Sequence, residues 1–269
     1  MKIFKSAVIF LCAVFSVCFV ATAVMIIKQS VLDIAINDNV ESLIRNIKYR
    51  DSPNITGVPL TQLKITCGYA SIEMLAQYFG YNSVTEQSIY DSNGKKISTS
   101  TNSGFYKEIK KQLPDFQITQ YTNLKNSEMV DKIYNSLANN MPVVVCFAAK
   151  NKNLDETEQK WNLHFSVVTG IDMVDDKVAV NNSYGYTEEY SIEDFLKATR
   201  FETYNDMSFY LKLGFAFGLF GKNTIYVIEK PEDIQNTTIA TDIKNIKEQG
   251  YFYENGKSEN HMVKTAADK

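Results

Sequence analysis

One cysteine, Cys67, has the position and the neighbours that a reactive thiol requires. Apolar side chains recur at helical spacing from Cys67 to Phe79, so Cys67 is predicted to begin a helix, whose partial positive charge lowers a thiol pKa. Gly68 is expected to leave room for a substrate backbone. Gln62, upstream, could donate its amide to an oxyanion beside the Cys67 backbone N–H. Together these features predict a cysteine nucleophile.

A cysteine nucleophile needs a base, and the sequence contains two histidines. His261 lies in a polar tail, whereas His164 opens an apolar run that ends at Gly170 and is predicted to be a buried strand. Asn181 and Asn182 end the next predicted strand, where one of them could orient the imidazole. Strand alternation sends their side chains to opposite faces, so only one is expected to reach His164. Read alone, His164 could be a strand-edge histidine and the asparagines an ordinary turn.

Four segments resemble the bacteriocin-processing, double-glycine peptidase family of papain-like cysteine peptidases. The resemblance covers Val58 to Glu229. It is carried by Val58–Gln62, Cys67–Ser71, His164–Gly170 and Val178–Asn182.

This resemblance implies a role for each candidate residue. Cys67 would be the nucleophile, Gln62 the oxyanion donor, His164 the general base and Asn182 the residue that orients the base. Family members commonly carry Asp-Pro where this sequence has Asn182-Ser183. Because an amide oxygen and a carboxylate both accept a ring N–H, an aspartate at position 182 is expected to serve as well.

Composition and motifs exclude several other functions. The net charge is −3, from 28 basic and 31 acidic residues without a block of one sign, so nucleic acid is not an expected partner. No zinc-binding His-Glu-x-x-His, Cys-x-x-Cys or phosphate-binding glycine loop occurs, so neither metal nor cofactor is expected. Cys146 lies in an apolar run and is expected to be a buried strand residue. Nothing in the sequence indicates the oligomeric state.

The N-terminus is predicted to engage a membrane. Residues Ala7 to Ile27 are almost wholly apolar, which is about the length that crosses a bilayer as a helix. Lys2 and Lys5 precede the run and should remain in the cytoplasm, which places the following domain outside. Ala21–Ala23 offers a small-x-small cleavage pattern, so a cleaved signal peptide, and with it a secreted domain, is the alternative. Residues 1–28 are thus an anchor or a signal sequence.

The rest of the chain divides into three predicted parts. Residues 29–57 form a helical stalk or pro-segment, with a helix from Val31 to Lys48; residues 58–229 form the papain-like domain; residues 230–269 form a polar, disordered tail. Within the domain, Phe209–Phe220 is apolar but too short to span a bilayer. It is expected to be a packed wall or lid, and contact with the bilayer surface is the alternative.

The predicted elements place helices before strands, which indicates an α+β domain with N-terminal helices packed on a C-terminal antiparallel sheet. Helices are predicted at Cys67–Phe79, Val84–Tyr90, Gly104–Gln112, Ser127–Asn139 and Ile192–Thr199, and strands at Pro142–Ala148, Phe165–Ile171, Lys177–Asn181 and Thr224–Ile228.

The sequence therefore predicts an extracytoplasmic, thiol-dependent peptidase that acts on a peptide or protein substrate. Two other functions remain open. The same thiol could serve an acyl transferase or an amidase acting on cell-wall material. Alternatively, the fold could be kept as a non-catalytic binding module.

The predicted topology can be tested on intact cells. Protease added outside should digest the domain and leave the N-terminus protected, because only the apolar run lies in the bilayer. Immunoblotting with tags at both ends measures this. A domain that resists protease until the membrane is opened would reverse the orientation.

Overall fold

A six-stranded antiparallel sheet with helices packed on it forms the core of the protein. The computed structural model describes Ser16, Val20, Val24 and residues 27–230. The helices are α1 (residues 27–36), α2 (Glu41–Ile44), α3 (Cys67–Tyr78), α4 (Glu86–Ser92), α5 (Asn102–Gln112), α6 (Asn126–Ala138), α7 (Ile192–Thr199) and α8 (Phe209–Ala216). The strands are β1 (Gln117–Tyr121), β2 (Val143–Ala149), β3 (Asn162–Asp172), β4 (Lys177–Asn182), β5 (Tyr186–Tyr190) and β6 (Thr224–Glu229). Within the described residues, the strand order in the sheet is β1-β6-β2-β3-β4-β5.

The central strands are apolar because both of their faces are covered. Every residue of β2 is buried, as expected for a valine-rich strand in the middle of a sheet. β3 lies beside it with Phe147 opposite His164 and Cys146 opposite Phe165. α3 packs on β3, so the helix that begins with Cys67 lies next to the strand that carries His164.

The mixed α+β architecture with an antiparallel sheet is confirmed, and it is consistent with a papain-like fold. All nine helices and strands predicted within the domain are present, with ends shifted by a few residues. β1 and β5 were not predicted. Both are edge strands of mainly polar residues, in which only Ile118 and Glu188 are buried, so neither shows a clear apolar alternation.

The single helix predicted from Val31 to Lys48 is wrong. α1 ends at residue 36, residues 37–40 are not helical, and a 3-10 turn at Ile47–Tyr49 follows α2. Polar contacts with α6 hold the break, since the Asp38 carboxylate accepts both the N–H and the hydroxyl of Ser127. These tertiary contacts outweigh the helical periodicity of the local sequence.

The other predictions for the N-terminus and the tail lie largely outside the described residues. This holds for the apolar run 7–27, of which four residues are described, and for the tail from residue 231 onward. In the part that is described, no helix is both long and apolar enough to cross a membrane.

The apolar segment Phe209–Phe220 folds as α8 and a following turn. Phe215 is buried, whereas Phe209, Tyr210 and Phe217 are more than 60% exposed. The segment therefore packs through one side and presents aromatic rings on the other. Its role as a lid or a bilayer contact stays a prediction.

Candidate active site

The predicted nucleophile stands at the first residue of α3. Thr66 caps this helix, and its Oγ1 accepts the Gly68 N–H at 3.1 Å, which is typical of an N-cap threonine. Cys67 is partly exposed. The reason expected for Gly68 is wrong, because a Cβ on this residue would lie 2.5 Å from Thr99 Oγ1. Gly68 is needed for close packing against Thr99 and not for substrate approach.

A buried carboxylate shapes the loop that leads to Cys67. Glu86, at the start of α4, accepts backbone N–H groups from Lys64, Ile65 and Thr66 at 2.9, 2.8 and 3.1 Å. Three donors on one carboxylate hold the loop in a single conformation. Glu86 thus fixes the chain between the predicted oxyanion donor and the predicted nucleophile.

Gln62 lies against the turn that follows β4. It forms an isolated antiparallel bridge with Tyr184, and Leu63 N–H donates to Ser183 O at 2.8 Å. Gly185, at φ +96°, allows this approach, since a Cβ there would lie 2.7 Å from the Gln62 Cβ. The Gln62 side chain is exposed, so its amide is accessible to an incoming group.

His164 lies within β3 and is only 1% exposed. The Tyr184 ring stacks on the imidazole with centroids 3.9 Å apart and an interplanar angle of 15°. Phe147, its neighbour on β2, meets the imidazole edge-on with centroids 5.8 Å apart. The ring is therefore held between aromatic side chains and has little freedom to turn.

The two asparagines occupy different surroundings, as strand alternation requires. Asn182 Oδ1 lies 2.8 Å from His164 Nε2, and Asn182 is fully buried. Asn181 instead donates from Nδ2 to Val58 O at 3.0 Å and accepts the Thr187 hydroxyl. The structure thus brings Asn182, and not Asn181, to the imidazole.

The hydrogen bonds around His164 define its tautomer. Ser183 Oγ lies 2.9 Å from Nε2 and donates its own proton to Phe165 O at 2.7 Å, so towards the ring it can only accept. Asn182 Oδ1 also accepts, because the Tyr184 N–H donates to it at 2.9 Å. Nε2 therefore carries the hydrogen, and Nδ1 keeps the lone pair that a general base requires.

Cys67 lies against the backbone that follows His164. Although Cys67 is partly exposed, the loss of hydration around its thiol raises the thiol pKa, while the amide of Phe165 and the first amides of α3 favour the thiolate and lower it. Burial lowers the pKa of His164 to about 4, against smaller raising effects of Asn182 and Glu188. These shifts favour the neutral form of both groups near pH 7.

Two residues of this site were missed by sequence reasoning. Glu86 directly follows Thr85, the N-cap of α4, and an acidic residue at such a position is common enough to escape notice. Glu188 alternates with Tyr186 and Tyr190, which places all three on one face of β5. That alternation was the available signal. No group of three residues that could hold a metal occurs among the residues that the structure describes.

The structure places a cysteine at a helix start and a histidine on the adjoining sheet, in an α+β architecture that is consistent with a papain-like fold. The sequence matches the Peptidase_C39 like family over residues 54–212, more than half of the chain. The protein belongs to this family, which confirms the resemblance drawn from its motifs. Membership suggests cysteine peptidase activity. No curated protein matches the chain.

Burial of neutral His164 makes stability depend on pH. Its pKa is about 4 in the fold and 6.5 in the unfolded chain, so its contribution is complete above pH 6.5 and is lost as the pH falls towards 4. As the pH falls from 7.5 to 4.5, we expect the titration of His164 to lower the free energy of unfolding by about 2 to 3 kcal/mol. Urea unfolding of the wild type and of His164→Gln at both pH values measures this difference. Equal losses in the two proteins would contradict it.

Proposed function

We propose that the protein is an extracytoplasmic cysteine peptidase that cleaves peptide bonds through Cys67, His164 and Asn182. The observation that carries the proposal is the hydrogen bond from buried His164 Nε2 to Asn182 Oδ1, with Cys67 beside the same strand. This bond leaves Nδ1 as the only ring atom able to take up a proton. A histidine with a fixed tautomer, on the strand against which a helix-start cysteine packs, is suited to nucleophilic catalysis.

The proposed cleavage begins with a neutral Cys67 thiol and a neutral His164 imidazole. As Cys67 Sγ attacks the peptide carbonyl, His164 Nδ1 takes the thiol proton, and the carbonyl oxygen becomes an oxyanion. The Cys67 N–H and the Gln62 amide would stabilise that charge. His164 then gives the proton to the leaving amine, which leaves an acyl-enzyme. Water, deprotonated by Nδ1, releases the acid and restores the thiol.

The acyl-enzyme could also be resolved by an acceptor other than water. An amine acceptor would make the protein a transpeptidase, and attack on a cell-wall amide would make it an amidase. Incubating the protein with a peptide library or with cell-wall material, with and without added amine, and analysing the products by mass spectrometry separates these outcomes. Hydrolysis products alone favour the peptidase.

One observation favours a non-catalytic alternative. Burial raises the pKa of Cys67 and lowers that of His164, which is opposite to the shifts of a preformed thiolate–imidazolium pair. A binding module that keeps the fold would show the same shifts and no thiol reactivity. The reactivity of Cys67 therefore decides between the two functions.

For the location, we infer a membrane-attached or secreted domain from the apolar run that precedes α1. α1 contacts the domain through the Lys222–Asp33 ion pair and through Gln29, which donates to Phe215 O in α8. A membrane helix continuing into α1 would thus hold α8, with its exposed Phe209 and Tyr210, near the bilayer.

Reactivity should distinguish the two described cysteines. At pH 7.5, we expect iodoacetamide to alkylate Cys67 at least about tenfold faster than Cys146, because Cys67 is accessible and has a nearby base. Cys67→Ala should also abolish labelling by a peptidyl vinyl sulfone. Cys146→Ala, a matched change at a buried strand residue, should preserve that labelling. Peptide mapping by mass spectrometry gives both rates, and equally slow alkylation would favour the binding module.

The neighbouring asparagines provide a second matched pair. Asn182→Ala removes one of the two acceptors of His164 Nε2 and leaves Ser183 Oγ alone, so we expect at least about tenfold slower vinyl sulfone labelling of Cys67. Asn181→Ala should leave this rate nearly unchanged, since its amide contacts Val58 and Thr187 instead. Circular dichroism establishes that both variants are folded. A slow Asn181→Ala with a normal Asn182→Ala would refute the assignment.

A further inference from the structure

A buried carboxylate lies directly behind the Asn182–His164 hydrogen bond. Asn182 Nδ2 donates to Glu188 Oε2 at 2.5 Å, and Glu188 is 7% exposed. The Tyr190 hydroxyl donates to the same oxygen at 2.7 Å, while Lys152 Nζ lies 2.5 Å from Oε1. Every contact of this carboxylate is thus made to a donor.

The charge of Glu188 is compatible with this position. Lys152 neutralises it, and a cavity of about 410 Å³, lined in part by Lys152, Trp161 and Glu188, opens beside the pair. A paired carboxylate next to a cavity loses less hydration than one that is enclosed on every side. Because all three contacts of Glu188 are made to donors, the carboxylate acts towards Asn182 as a hydrogen-bond acceptor.

We propose that Glu188 is a positioning residue, which fixes the orientation of the Asn182 amide and through it the tautomer of His164. An amide has one donor end and one acceptor end, and Glu188 can be met only by the donor end. The acceptor Oδ1 must then face the imidazole, so the hydrogen stays on Nε2 and the lone pair on Nδ1. The effect of Glu188 on catalysis rests on the proposed function. Its effect on the His164 tautomer does not depend on that function.

This arrangement reverses the expectation that an aspartate at position 182 would serve as well. In Asn182→Asp, a carboxylate would replace the donor that lies 2.5 Å from Glu188. Two carboxylates at that separation cannot both ionise, so the variant must hold an extra proton or move apart. The aspartate that the family resemblance implies at position 182 would therefore disturb this site unless Glu188 also changes.

Glu188→Gln changes the partner of the Asn182 amide instead of the amide itself. Lys152 requires an oxygen, so the new amide turns its oxygen to Lys152 and its nitrogen to Asn182. We expect Asn182 to turn over, which gives up the hydrogen bond from the Tyr184 N–H and presents Nδ2 to His164 Nε2, so that the ring hydrogen moves to Nδ1. In the double variant Asn182→Asp with Glu188→Gln, the glutamine amide donates to the new carboxylate, and that carboxylate accepts from Nε2, so the original pattern returns.

The test compares the two single variants, the double variant and a control in the full-length protein. Glu189→Gln is the matched control, because Glu189 is the next residue of β5 and is exposed on the opposite face. We expect each single change to slow alkylation of Cys67 by at least about tenfold at pH 7.5, and the double variant to recover to within about threefold of the wild type. Glu189→Gln should match the wild type. A double variant as slow as the slower single variant would overturn the proposal.

The second readout is independent of the thiol. The chain contains two histidines, so ¹⁵N-histidine NMR with His261→Gln in the background reports on His164 alone. Hydrogen on Nε2 is expected in the wild type and in the double variant, and hydrogen on Nδ1 in Glu188→Gln. An unchanged tautomer in Glu188→Gln would refute the positioning role even if Cys67 is reactive. If wild-type Cys67 is unreactive, the proposed function fails, and the tautomer still decides the role of Glu188.

Discussion

An amide side chain accepts hydrogen bonds at one end and donates them at the other, and the candidate site depends on which end of Asn182 meets His164. The Tyr184 N–H and the Glu188 carboxylate hold the amide in one orientation, with its oxygen towards the ring. That orientation leaves Nδ1 as the basic nitrogen. The antiparallel pairing of β3 with β4 provides the geometry, because it returns the chain to the level of His164 as β4 ends.

The low polarity around this hydrogen bond determines how the thiol can react. His164 lies between Tyr184 and Phe147, and burial disfavours its charged form as it disfavours the Cys67 thiolate. The start of α3 and the Phe165 amide act in the opposite direction. Because neither group ionises readily alone, the proposed mechanism requires proton transfer from Sγ to Nδ1 to accompany attack on the substrate. A substrate that excludes water would strengthen the same electrostatic interactions.

The sequence predicted those parts of the fold that carry a strong apolar signal. β2 is continuously apolar, and α3 has a clear helical period with a glycine after its end, so both were predictable. β5 was not, because its single buried residue is Glu188 and its pattern resembles a polar turn. The break after α1 was missed for a related reason, since side-chain hydrogen bonds from α6 hold it. Polar contacts between distant segments leave no periodicity in a sequence.

The same limit applies to the candidate site. Residue types and family motifs indicated Cys67, Gln62, His164 and Asn182, but not Glu188, because an asparagine at position 182 gives no sign of what lies behind it. An aspartate at position 182, which the family resemblance implies, would place its negative charge beside the imidazole. In this protein the Asn182 side chain separates the Glu188 carboxylate from the imidazole, and the carboxylate is paired with Lys152. Because Coulomb attraction falls with distance and with pairing, this carboxylate stabilises an imidazolium less than an adjacent one would. The Asn182 amide, which lies between Glu188 and His164, orients the ring without placing a charge beside it. The tautomer of His164 is thereby fixed, while His164 remains a weak base.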